Sequence, residues 1–134
     1  MRAFIAVVVT VAILIAGCTK PESQIVGKWQ FDAASMSTGD AKNDAMMKSL
    51  AGSMTMEFKA DKTFTGPMME GTYEVNGHTI SMKTTKVMGM DISKMPNSKD
   101  AANKVEQATL SDDGKSITLP AGTGKSVKLV KAAG

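Results

Sequence analysis

Arginine is almost missing from this sequence. Arg2 is the only one in 134 residues. Without it the chain lacks the forked guanidinium that grips phosphate and guanine with two bonds at once. Nucleic-acid binding is therefore disfavoured. Cysteine occurs once, at Cys18, so no disulfide can close within the chain. Histidine also occurs once, at His78. One histidine gives neither a metalloprotease His pair nor a Cys-His zinc spacing. A catalytic triad or dyad would need His78 as its base, with a nucleophile that no motif marks. Long apolar runs are missing too. The uncharged stretch Ala3 to Ala16 reaches only about 21 Å as a helix, short of a ~30 Å hydrocarbon core.

That stretch has a different use. Met1 and Arg2 give a positive start, the apolar run follows, and small residues precede Cys18. This is the layout of a secretory leader. Its end, Ile15-Ala16-Gly17-Cys18, resembles the lipobox of bacterial lipoproteins. The resemblance implies that residues 1–17 are removed and that Cys18 is acylated, as a membrane anchor and not a nucleophile. One acyl chain holds only marginally and stable anchoring takes at least two signals; lipoproteins of this kind usually carry three chains. Thr19 stands where Asp would often signal inner-membrane retention, which favours an outer-membrane address. The exported address, like the scarcity of arginine, disfavours nucleic-acid binding, and none is expected.

Past residue 17 the chain has 117 residues, enough for one domain, with fifteen Lys against thirteen Asp and Glu, a net of +2. Residues 18–24 read as the acylated Cys and a short polar tether. Residues 25–134 read as one β domain. In "IVGKWQFDAA", Ile25, Gly27, Trp29, Phe31 and Ala33 alternate with polar neighbours, the period of a half-buried strand. "DAKNDAMMKSLA" predicts one short helix over about 40–51, capped by Asp40, with Met46, Met47, Leu50 and Ala51 on one face and Gly52 as its stop. Strands return at "MTMEFKA", with Met54, Met56 and Phe58 inward, then at "TFTG", "EGTYEV" and "HTISMKT". Asn76-Gly77 reads as a type I′ hairpin turn. "KVMGMDIS" either continues its strand through a bulge at Gly89 or forms an edge piece. Residues 93–103 read as a loop, and three more strands follow. About eight strands with short connections predict an antiparallel up-and-down meander, and closing it removes its edges.

Gly27-Lys28-Trp29 in a first strand resembles the Gly-x-Trp strand of lipocalins and calycins, and "AMMKSLAG" resembles the helical lid of the fatty-acid-binding branch. The resemblance implies a small lipocalin-like barrel with Trp29 plugging one end. In those families a late Arg commonly packs over the Trp; here Lys128 or Lys131 would have to substitute.

"AGTGKS", 121–126, imitates the end of a phosphate-binding loop, but position 119 is Leu where Gly is needed, and alternating residues follow instead of a helix. Nucleotide binding is not expected. Methionine is what the chain has in excess: eleven past residue 17, against four Leu and three Phe. Thioethers fill irregular cores and suit adaptable apolar surfaces. The expected function is a non-enzymatic, lipid-anchored envelope protein with no cofactor. It would hold a small apolar ligand or a protein partner near Trp29, Met54, Met56, Met68, Tyr73, Met82, Met88 and Met90. Soft sulfur also selects Cu(I), so the metal alternative uses Met54, Met56, Met88, Met90 and His78. A solid-core interaction module is the third reading.

The anchoring expectation has a direct test. Intact-mass spectrometry of the protein from its membranes should show a diacylglycerol-sized addition that Cys18→Ala abolishes; the same addition on Cys18→Ala would refute the reading.

Overall fold

The computed structural model describes residues 20–96, 98–121 and 124–132; the leader and Cys18 lie outside them. Short apolar-alternating segments separated by turn residues form nine strands: β1 (Gly27–Phe31), β2 (Thr55–Phe58), β3 (Thr63–Thr65), β4 (Met69–Asn76), β5 (Thr79–Val87), β6 (Met90–Asp91), β7 (Val105–Leu110), β8 (Ser116–Pro120) and β9 (Ser126–Lys131). Every pairing is antiparallel, and β1 pairs with both β2 and β9 while β4 pairs with β5. Eight strands therefore close into a barrel, with the two-residue β6 attached to the end of β5. The expected mainly-β, eight-stranded barrel with one short helix after its first strand is what the chain forms. Helix α2 (Ala41–Ala51) is that helix; Asp40 caps it by accepting from the Lys42 amide at 3.0 Å.

Three local expectations change. Residues 21–24 are not a free tether, because Pro21–Ile25 form a short helix, α1, with Pro at its start. Proline's preset φ suits that position, and Ile25 is fully buried beneath the barrel. The β4–β5 turn also lies one residue later than expected. Asn76 pairs with Thr79, so Gly77 and His78 are its central residues, and only Gly77 (φ 60°) has positive φ. That is the requirement of a II′ turn, not I′. Of the two readings of "KVMGMDIS", the separate edge piece is the one that forms, and the strand bulge lies at Thr85, where the β4–β5 register shifts between Glu70 and Gly71. Gly89 instead forms a two-residue turn with Met88, and β6 follows as a separate edge piece. Residues 92–94 then form a 3-10 turn and Lys99–Asn103 a helix, α3, where a loop was expected.

The meander gives the barrel two unlike ends. Strand β1 runs away from α1, so α1 and the β2–β3, β4–β5 and β7–β8 turns share one end, the base. Helix α2, the β3–β4 and β5–β6 turns, residues 92–103 and the β8–β9 turn share the other, the rim. Between them the interior is packed by twelve buried apolar residues from α1 and all eight barrel strands. Phe58 meets Tyr73 edge-on at 5.0 Å between ring centres and Phe64 at 6.0 Å.

Of the glycines of the barrel wall, Gly71 leaves least room for a side chain. A Cβ there would collide with the Lys83 carbonyl oxygen and stand 2.7 Å from the Phe64 ring. Neither backbone nor a packed ring yields cheaply, so Gly71→Ala should cost about 3 kcal/mol in urea unfolding. An unchanged midpoint would show that the wall at the bulge is soft.

Candidate functional site

Trp29 sits at the base, fully buried, and its indole Nε1–H donates to the Ile25 carbonyl at 2.7 Å. Lys131, opposite Trp29 on β9, places its ammonium 5.4 Å from the centre of the Trp ring and donates to the Gln24 carbonyl at 2.8 Å. Of the two lysines that might replace the lipocalin arginine, it is Lys131 that covers the tryptophan. The base is thus a plug. Tyr73 strengthens it by donating its hydroxyl to the Lys59 carbonyl at 2.6 Å, and burial raises its phenol above the usual tyrosine pKa.

The eight expected ligand residues do not surround a common space. Trp29, Met56, Tyr73 and Met82 are packed inside the barrel. Met54 is half-buried at the end of α2, its amide donating to the Leu50 carbonyl at 3.0 Å. Met68, Met88 and Met90 stand outside at the rim. The metal alternative is scattered as well. Met56 is core, Met88 and Met90 are rim, and His78 lies at the base beside Asp112. Met88 and Met90 do not share a strand face as their spacing suggested, because a turn lies between them. Among the described residues no cluster of His, Cys, Asp or Glu is arranged to hold a metal ion. "AGTGKS" enters β9 directly after Lys125, so the described part of that segment offers a phosphate no helix N-terminus.

The rim is distinctive in another way. Eight large apolar residues are exposed among the described ones, and seven of them lie in the rim half, with Val26 at the base. Met68 is 60 % exposed, Met88 67 %, Met90 57 % and Met46 64 %. Helix α2 was expected to bury Met46, Met47, Leu50 and Ala51 as a lid; only Ala51 is buried. The interior is already filled, so the helix has nothing left to cover. At the hairpins, the Met88 amide donates to the Met68 carbonyl at 2.8 Å, which fixes these two methionines side by side. Met69 is opposite Val87, which is opposite Met90. Met69 had no place among the expected site residues. Its doublet with Met68 was the available signal.

Met88 is strained. Its φ is 51°, a left-handed conformation that costs an unbranched non-Gly residue about 1 kcal/mol. Asn or Gly would fit that turn without the cost. Beside it, Lys86, Met90, Lys94, Met95 and Pro96 border a cleft of about 550 Å³. Both lysines help to hold the Asp91 carboxyl below its usual pKa, after the larger effects of its hydrogen bonds from Ser93.

Fold and site together define a closed, filled, lipocalin-like barrel with an apolar rim. No family model and no curated protein matches the chain. Its structure is similar to the crystal structure of a DUF4847 family protein from Bacteroides vulgatus, at 17% identity and a TM-score of 0.51, covering 83% of this chain and 96% of that one. That likeness concerns the fold.

Asp44 pins the segment before α2 to the rim. It accepts from the Thr38 amide at 2.6 Å and the Ser37 hydroxyl at 2.7 Å, and these bonds lower its pKa from 3.8. A depressed carboxyl pKa stabilises the fold above the unfolded value and loses that effect as pH falls through the folded one. The Thr38 amide resonance should therefore titrate below pH 3.8 and not at it. Asp44→Asn should abolish that titration; its persistence would assign it to another group.

Proposed function

We propose that this protein is a lipid-anchored, non-enzymatic domain of the cell envelope that binds a protein partner through its methionine-rich rim. One observation carries the reading: the barrel interior is full of side chains while nearly all the exposed large apolar residues gather at the end away from α1. A filled barrel leaves no interior space for a lipid-sized guest. Exposed apolar groups concentrated at one end are what a docking surface has and an inert surface lacks. Methionine suits the task, since its flexible thioether adapts to a partner's shape. Export and acylation at Cys18 rest on the lipobox resemblance, which places the domain at the envelope, facing the periplasm from the outer membrane.

A small apolar ligand has one specific place in this architecture, the cleft beside β6, where Met90, Met95 and Pro96 supply apolar surface. Native mass spectrometry of residues 19–134 should show an added mass, lost on denaturation, if that cleft is occupied.

The partner reading is tested by incorporating a photo-activatable methionine analogue in the producing cells. Intermolecular cross-links should map to peptides holding Met46, Met68, Met88 or Met90, and not to Met56 or Met82. Met88→Asn should remove the Met88 cross-links while raising stability by about 1 kcal/mol, as the turn strain is relieved. Cross-links to no protein, or a destabilised Met88→Asn variant, would defeat the reading.

A further inference from the structure

The helix α1 decides how the barrel faces the membrane. A seven-residue polar tether would have let it tumble. Instead the chain is gripped from Pro21 onward. Ile25 is buried under the barrel and its carbonyl receives the Trp29 indole. Lys131 donates to the Gln24 carbonyl, and Glu22 pairs with Lys62 at 3.3 Å. Gln24 also packs against Gly114 of the β7–β8 turn, where an added Cβ would stand 2.8 Å from its side-chain oxygen. Contacts to three separate parts of the base hold this short helix.

We infer that α1 works as a short-leash clamp, holding the base of the barrel against the lipid surface and turning the methionine rim away from it. This rests on the acylation of Cys18. From the Cα of Cys18 to that of Pro21 is three residue steps, at most about 11 Å of fully extended chain. The rim stands higher. The nine residues of β5, tilted as barrel strands are, rise roughly 20–25 Å from base to rim. The rim therefore cannot face the bilayer end-on while α1 stays docked. The occupant of the base is the lipid surface itself. The hold is geometric and not electrostatic, because the base carries acidic groups (Glu22, Asp61, Asp112, Asp113) alongside its lysines. Val26, the exposed large apolar residue at this end, adjoins the leash. The rim then faces partners in solution or on an opposing structure, and not lipids of the anchoring leaflet.

Acylation leaves no free thiol in the native chain, so a single new cysteine can carry a dye. Asp112→Cys marks the base and Lys125→Cys the rim. Both lipidated variants are reconstituted in phosphatidylethanolamine–phosphatidylglycerol vesicles containing a headgroup-nitroxide lipid. The base dye should be quenched several-fold more than the rim dye. Inserting twelve Gly-Ser residues between Thr19 and Lys20 should bring the two close to equal. Equal quenching without the insertion, or a base preference that survives it, overturns the clamp. Failure to carry the lipid mass or to float with vesicles overturns the acylation, and the clamp with it. Flotation with equal quenching at both ends overturns the clamp alone.

Discussion

The indole of Trp29 governs much of this structure. It is the largest buried side chain, and burying it would leave its N–H without a partner unless something polar met it there. The Ile25 carbonyl does so, and only because the chain turns helical at Pro21 and brings that carbonyl under the barrel. Lys131 completes the arrangement from the last strand, with its ammonium over the ring and its hydrogen bond to Gln24. The two termini of the described domain are thus joined at one aromatic ring. The β1–β9 pairing that shuts the barrel ends at this point. Closure of the sheet and docking of α1 are one event.

Closure with a full interior leaves the spare apolar residues on the outside. A barrel of eight strands is near the size at which side chains can fill it, and here three phenyl or phenol rings, one indole and two thioethers occupy it with aliphatic residues. What the core does not take up is left at the rim. Helix α2, expected as a lid, has no cavity to cover. Its Met46 and Leu50 remain in solvent, in the same half as the hairpin methionines. The excess of methionine in the sequence therefore divides in two: Met56 and Met82 are filling, while Met46, Met68, Met88 and Met90 are surface. Composition alone does not separate these uses, because the residue type suits both.

The strand plan was legible in the sequence because it depends on local alternation. Met56 and Phe58, Tyr73, and Ile80 with Met82 all face inward as their period of two required. The helix was legible from Asp40, and the base plug from Gly27-Lys28-Trp29. What the sequence hid depends on distant partners. Residues 21–24 read as a tether because they are too few and too polar to show a helical period; burial of Ile25 under the barrel is what orders them. The bulge at Thr85 was invisible because its cause, the crowding of Gly71 against Phe64 and Lys83, lies on other strands. The rim was misread for the related reason that periodicity says which residues share a face, not whether anything covers it. Met88 with Met90, and Met46 with Leu50, had the spacing of core pairs. Only the filled interior shows that no core was left for them.

That distinction bears on how the two ends relate. The base is built from specific, directional contacts, each with its partner in hand: an indole bond, a cation over a ring, a Tyr hydroxyl on a carbonyl. The rim has few such contacts, and each end holds one non-Gly residue in the left-handed region, Lys62 at the base and Met88 at the rim. Stability is invested where the chain meets its proposed anchor, and adaptable apolar surface is left where it does not. A module that had only to fold would gain by placing Asn at position 88 and polar residues along α2. The apolar surface left at the rim, beside a base with its polar groups so well satisfied, is what supports the proposed contact there.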